Sequence, residues 1–276
     1  MPELPEVETV VRSLVPRLHG SRLERVATSA SRVFRGRQAE LEAALPGRRI
    51  AAVRRYGKNI LLDLGGRMLR VHLGMTGKLL FDVAQATHPR ATLWLRGGKA
   101  DLLVFDDIRQ FGRFELIADC GTLALGPEPL EVSLQEFADA LHARRGAVKS
   151  VLLNQAFLRG MGNIYTDEAL FQAGIHPLTA ACCVPDGQTA ALHAAMRALL
   201  RQAIAEGGSS ISDYADAEGR RGAFQERHQV YGREGEPCPR CGAAIRRIVV
   251  GQRGTHYCER CQPQADGARR SALRTK

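Results

Sequence analysis

Residues 59–81 read NILLDLGGRMLRVHLGMTGKLLF, short apolar runs separated by Gly65 and Gly66 and by Gly74 and Gly77. Each run is too short for a helix, and glycines so placed supply the backbone freedom of tight hairpin turns. The pattern extends from Arg48 to about Leu125 through ATLWLRGGK, DLLVFDD and FELIA. Residues 1–125 therefore predict a domain built on an antiparallel β sandwich or barrel.

Working outward, Val7, Val10, Val11, Leu14 and Leu18 recur at helical spacing between Pro5, which suits a first turn, and Gly20, which suits a stop. An amphipathic helix over 5–19 should flank the sheet domain. On the other side GPEPLE at 126–131 reads as a linker, and helical patterns follow at 133–143, 147–157, 164–173 and 186–206. Gly160, Gly162, Gly174 and Pro177 separate them. A helical domain over 132–224 thus ends in a polar, glycine-rich loop from Gly207 to Gly222. A cysteine-bearing module occupies 225–262, and the tail at 263–276 has too little to bury to stay ordered. The class is α+β, multidomain, with no internal repeat.

With 45% apolar and 25% charged residues over 276 positions, the chain has the composition of an ordinary globular protein. Thirty-nine Lys and Arg against 29 Asp and Glu leave +10, a balance that favours a polyanionic partner, nucleic acid first. No apolar run approaches the roughly 20 residues that span a bilayer, and charged residues stand where a signal peptide would be apolar. These features predict a cytoplasmic protein with no membrane partner.

In such a compartment paired cysteines are metal ligands more often than disulfides. Cys238-Pro-Arg-Cys241 and Cys258-Glu-Arg-Cys261 lie sixteen residues apart. Two knuckles at that spacing present four thiolates tetrahedrally to one zinc ion, leaving no open position for chemistry. Between them AAIRRIVVGQRGTHY reads as a two-stranded ribbon whose turn presents Gln252, Arg253 and Gly254. From residue 235 onward nine Lys and Arg stand against Glu236, Glu259 and Asp266, so the module is locally basic. Cys120, Cys182 and Cys183 lack a partner motif and read as packing residues.

The chain opens MPELPEVETVV. Helix capping accounts for Pro5 onward but leaves Pro2 and Glu3 unexplained. If Met1 is removed, Pro2 becomes a secondary α-amine with an ordinary pKa of about 7.7 to 8.0, partly neutral near pH 7. Such an amine can attack a masked aldehyde such as the anomeric carbon of a nucleoside, with Glu3 as the adjacent acid or base.

This opening, together with YGKNILLDL, VHLGMTGKL, FDDIRQFGRFEL, GMGNIYTDEALFQAGIHP, QVYGREGEPC and QRGTHYCERCQ, resembles the formamidopyrimidine-DNA glycosylase family over almost the whole chain. The resemblance implies a β-sandwich domain, a helix-two-turn-helix DNA-binding element, a zinc ribbon, and a monomer acting on damaged double-stranded DNA. It implies a base-excision-repair glycosylase with strand-cleaving lyase activity against oxidised purines. Pro2 would attack C1′ and form a Schiff base, and Glu3 would move protons at the sugar. Lys58 would assist β elimination; alone, it reads as a strand-edge lysine that discourages edge pairing. Arg253 would grip the phosphates beside the lesion and serve δ elimination.

Extruding a nucleotide leaves a gap in the stack, and Met75, Arg109 and Phe111 match the residues the family inserts there. His88, Lys149 and Asn163 fall where it contacts DNA, Tyr231 is either a phosphate contact or a packed tyrosine, and the 207–222 loop would cover the flipped base. The family often reads Asp-Pro-Arg-Arg-Phe-Gly where this chain has Asp107 to Gly112, and carries a lysine near Gln155. Ile108, Gln110 and Gln155 thus bear on lesion preference. Two rivals remain: the sister endonuclease VIII group, which prefers oxidised pyrimidines, and a zinc-ribbon DNA-binding protein without catalysis.

Overall fold

The computed structural model describes residues 1–210 and 217–264, so residues 211–216 of the predicted 207–222 loop, and those from 265 of the predicted tail, lie outside the described residues. Two units form: Met1–Ala124 with the described part of Ala203–Gln225, and Leu125–Gln202 with the described residues from Glu226. The first starts with helix α1 (Leu4–Leu18), strand β1 (Arg22–Thr28) and the short helix α2 (Gln38–Ala44). The strands β2 (Ala52–Tyr56), β3 (Asn59–Asp63), β4 (Met68–His72), β5 (Lys78–Leu80), β6 (Pro89–Arg96), β7 (Leu102–Asp106) and β8 (Arg113–Ile117) follow. They pair antiparallel in two four-stranded sheets, β1-β6-β7-β5 and β2-β3-β4-β8.

The predicted sandwich is thus present, and its core is what the apolar alternation requires. Leu62, Val71, Leu93, Phe105 and Phe114 are buried together with Val7, Val10, Leu14 and Leu18 of α1. Burying each such side chain contributes roughly 1.5–3 kcal/mol. Phe105 stacks on Phe114 at 5.6 Å, and Phe34 meets Phe114 edge-on at 5.9 Å. Strand β1 lies ahead of the region read as strands. A bulge between Leu23 and Arg25 breaks its alternation, leaving Arg25 exposed, its guanidinium 3.5 Å over the Trp94 ring.

The second unit contains α3 (Leu134–His142), α4 (Val148–Leu153), α5 (Asn163–Ala173), most of α6 (Asp186–Ala205), and the ribbon strands β9 (Arg246–Val250) and β10 (Arg253–Tyr257). A Ser133–Glu136 capping box opens α3. Helix α4 is shorter than the apolar pattern predicts, because Asn154 turns the chain: its Oδ1 accepts from Ala156 N at 2.9 Å and its carbonyl from Phe157 N at 2.9 Å. Cys182 and Cys183, expected to pack, are exposed, and Cys120 is half-buried. Among the described residues no helix is long and apolar enough to cross a membrane.

Fully buried charges tie the helices to the ribbon. Lys149 on α4 donates to Asp167 on α5 at 2.6 Å, both side chains having no exposed surface, and Asp167 also accepts from His256 N in β10 at 2.8 Å. Glu168 takes three backbone N–H groups, from Gln229, Val230 and Tyr231, at 2.8–3.0 Å. Burial pushes its carboxyl above the usual range despite these bonds.

Removing one member of a buried pair strands the other charge at a cost of about 3–5 kcal/mol, so Asp167→Ala should lower the unfolding free energy of the second unit by that amount in urea titration. A change under about 1 kcal/mol contradicts the pairing, being the range of exposed ion pairs. Burial holds two histidines, His72 in the first unit and His228 in the second, at about 4 against an ordinary 6.5. The unfolded chain then binds more protons between these values, so stability is full above pH 6.5 and is lost as pH falls toward 4. The thermal midpoint should drop across that window, and less so in His72→Gln; a flat profile contradicts the neutral burial.

Candidate active site and metal centre

Pro2 and Glu3 are buried where the chain enters α1. The Glu6 carboxylate organises this start, accepting from Glu3 N at 2.7 Å through one oxygen and from Ser209 N at 2.8 Å through the other. Gly208 allows the approach: its φ is +80°, and a Cβ there would stand 2.8 Å from Glu6 Oε1. The glycine-rich segment is pinned again by Ser210, whose Oγ accepts from Gly222 N at 2.9 Å. Glu6 reads from sequence only as a first-turn acid; its contact 203 residues away carries no local signal.

Lys58 occupies the two-residue turn between β2 and β3 and is 6% exposed. His72, on β4, faces Asn59 of β3 and Arg113 of β8 across the sheet. Burial first, then the positive charges of Arg70, Lys58, Arg113 and the amino terminus, hold it neutral. Its Nδ1 accepts from Gly74 N at 3.1 Å, which leaves the proton on Nε2. The amino terminus, Lys58 and an uncharged imidazole therefore share one region. His72 stands inside VHLGMTGKL, where nothing local marks it as a site residue.

Two loops of the same unit present the predicted wedge residues. Asp107, fully buried, accepts from Thr76 Oγ1 at 2.6 Å and from Gly112 N at 2.9 Å, and Thr76 Oγ1 accepts from Arg109 N at 3.2 Å. At Gly74, φ +63°, a Cβ would lie 2.6 Å from the Phe111 backbone. The loops are thereby locked, with Met75 43% and Phe111 52% exposed and the Arg109 guanidinium 4.7 Å over the Phe111 ring. His88, half-buried, joins them through its carbonyl, which accepts from Asp107 N at 3.1 Å. Gln110 is committed inward, its Oε1 accepting from Ser31 Oγ and Arg32 N at 3.1 and 3.2 Å, while Ile108 is exposed.

In the second unit Asn163 and Lys149 meet at one carbonyl, donating to Gly254 O at 2.9 and 3.2 Å. Lys149 is fully buried, whereas Arg253, the neighbour of that carbonyl, is exposed at the start of β10. Gln155 spends its amide locally, on Leu153 O, Met161 O and Gly160 N at 2.8–3.0 Å. Tyr231 is half-buried, edge-on to His228 and His256 at 5.7 and 5.1 Å.

The four motif cysteines converge, their Sγ atoms all within 4.8 Å of one another. Cys238 and Cys261 stand 3.8 Å apart, Cys241 and Cys258 3.5 Å. Zinc–sulfur bonds of about 2.3 Å at the tetrahedral angle give edges of about 3.8 Å, so the donor set fits one structural zinc. Burial pushes the Cys261 thiol up to about 12 and raises Cys258, while the Ala243 N–H brings Cys241 down to about 7. A bound dication offsets the cost of gathering such thiolates.

Family models match nearly end to end: the formamidopyrimidine-DNA glycosylase N-terminal domain over 1–114, the H2TH domain of the same glycosylase over 125–215, and a zinc finger found in FPG and IleRS over 235–264. Curated relatives include formamidopyrimidine-DNA glycosylases of Solibacter usitatus, 49% identical with 95% of this chain and 99% of the relative covered, and of Chloroflexus aggregans, 46% identical with 95% and 98% covered. Among solved structures, the MutM (FPG) protein of Thermus thermophilus is 41% identical with a TM-score of 0.86, covering 96% of this chain and all of that one. A Lactococcus lactis FPG mutant, solved with Fapy-dG-containing DNA, is 35% identical with a TM-score of 0.86, covering 95% of this chain and all of that one. Matched over both units and the ribbon, the chain belongs to the formamidopyrimidine-DNA glycosylase family.

Proposed function

We propose that the chain is a base-excision-repair DNA glycosylase with lyase activity, removing oxidised purines such as 8-oxoguanine and formamidopyrimidines from duplex DNA. The observation that carries this reading is the buried chain start: Pro2 and Glu3 are held by Glu6 beside Lys58 and a neutral His72. Once Met1 is removed, the Pro2 nitrogen is a secondary amine that forms a bond to C1′ as the base departs with the glycosidic electron pair. Opening of the sugar ring then gives the Schiff base, with Glu3 moving protons at the ring oxygen. Lys58 assists proton transfer in β elimination, and a second elimination releases the sugar remnant. His72 stays uncharged so that it does not repel the iminium.

Met75, Arg109 and Phe111 fill the gap left by the extruded nucleotide: a thioether, a guanidinium that pairs with the orphaned base, and an aromatic wedge. His88 and Arg253 contact phosphate; arginine stays protonated, which makes Arg253 a better phosphate grip than an acid for δ elimination. Lys149 and Asn163 support that grip by fixing the Gly254 carbonyl next to Arg253. The sheet domain thus does the chemistry, and the helical domain with its zinc ribbon holds phosphate. The protein acts as a monomer in the cytoplasm, on the nucleoid.

A duplex carrying 8-oxoguanine opposite cytosine should be cut to leave phosphate on both ends, faster than a duplex carrying an oxidised pyrimidine. The reverse preference points to endonuclease VIII chemistry, and no cleavage of either to a binding protein. Losing proton transfer costs about 100-fold or more, so Lys58→Met should slow strand cleavage by that factor in single-turnover assays; unchanged elimination kinetics remove its role. Chelating the zinc should weaken duplex affinity, measured by fluorescence anisotropy, and equal affinity of the stripped protein contradicts a ribbon that grips DNA.

A further inference from the structure

We propose that Cys182 and Cys183 form a chelating dithiol that captures trivalent organoarsenicals at a place separate from the zinc cysteines. Both side chains are exposed, at the end of the single turn Ala181–Cys183, with their Sγ atoms 3.7 Å apart. A disulfide brings sulfurs to about 2.05 Å and prefers Cα atoms at least about 4.4 Å apart. Consecutive residues across a trans peptide hold them at about 3.8 Å, so direct oxidation of the pair is strained. One soft centre bridging both sulfurs is not. A trivalent centre with a lone pair is pyramidal, its angles below tetrahedral, so two bonds of about 2.3 Å span somewhat less than the roughly 3.8 Å of a tetrahedral site, close to the 3.7 Å between these two sulfurs.

Thiolate pairs select soft centres. Zinc takes four donors, and among the described residues only the four ribbon cysteines gather three or more metal-binding side chains. A centre satisfied by two sulfurs is therefore the one that fits. The turn is already braced: Cys182 N donates to Arg144 O and Cys183 N to Ala180 O, both at 2.8 Å. The sulfurs thus need no refolding to close on a ligand. Capture of an arsine oxide balances without redox change. Two arsenic–sulfur bonds form, the arsenic–oxygen bond breaks, and the two thiol protons leave with that oxygen as water.

The test uses the full chain loaded with zinc and phenylarsine oxide as probe, read by intact mass, peptide mapping and zinc content. One adduct should map to the peptide holding Cys182 and Cys183, yield to a competing dithiol but not to a monothiol, and leave zinc in place. Losing one sulfur forfeits the intramolecular second bond, so Cys183→Ser and Cys182→Ser should each weaken capture by about 100-fold or more. Both side chains are exposed, so neither change disturbs packing. Labelling of the ribbon cysteines with zinc release, labelling that persists in Cys183→Ser, or no adduct overturns the assignment.

Discussion

The chain start proposed to carry the reaction has to be held still, and one buried carboxylate does it. Glu6 is 2% exposed and spends one oxygen on Glu3 N and the other on Ser209 N. It thereby fixes the entry to α1 and the base of the glycine-rich segment together. An amine nucleophile gains most of its advantage from such placement, since proximity and orientation in a bound complex contribute up to about 7–11 kcal/mol to a barrier. Charge-assisted bonds to backbone N–H groups are also the stronger kind. Through its bond to Glu3 N, Glu6 fixes the backbone that carries Pro2 and Glu3.

The same device recurs wherever the functional segments are irregular. Asp107 locks the two loops that expose Met75, Arg109 and Phe111. Asp167 and Glu168 bind Lys149, β10 and the 229–231 segment to α5. An ionised carboxylate is acceptor-only, so when buried it must collect donors, and loops rich in unpaired N–H groups supply them. Zinc does for the ribbon what these acids do elsewhere, fixing a short segment too small for a core of its own. The flexible-looking parts of the sequence are therefore held by buried charge, while apolar packing holds the sandwich.

What the sequence made legible was local. The periodicity of Val7 to Leu18, the glycine-punctuated runs of 59–81 and the cysteine spacing each set a structure within a few residues, and α1, the hairpins and the sulfur cluster follow them. β1 was hidden because its bulge puts two exposed residues in succession, destroying the period of two. α4 ended early because one Asn side chain competed with the helix for backbone donors. Glu6, Asp107 and His72 were illegible as site residues, since their roles depend on pairings between distant segments. Lys149 falls in sequence where the family binds phosphate, while its side chain is sealed against Asp167. Cys182 and Cys183 depart in the opposite direction: their residue type is usually buried, and their turn leaves them in solvent.

On the function proposed above, the Pro2 nitrogen forms a covalent bond to the sugar. The direct measurement is reduction with borohydride during reaction with an 8-oxoguanine duplex, followed by mass mapping of the cross-linked peptide. One adduct is expected, on the Pro2 nitrogen of a chain lacking Met1. An adduct on Lys58 or another lysine, or turnover with none trapped, would contradict it.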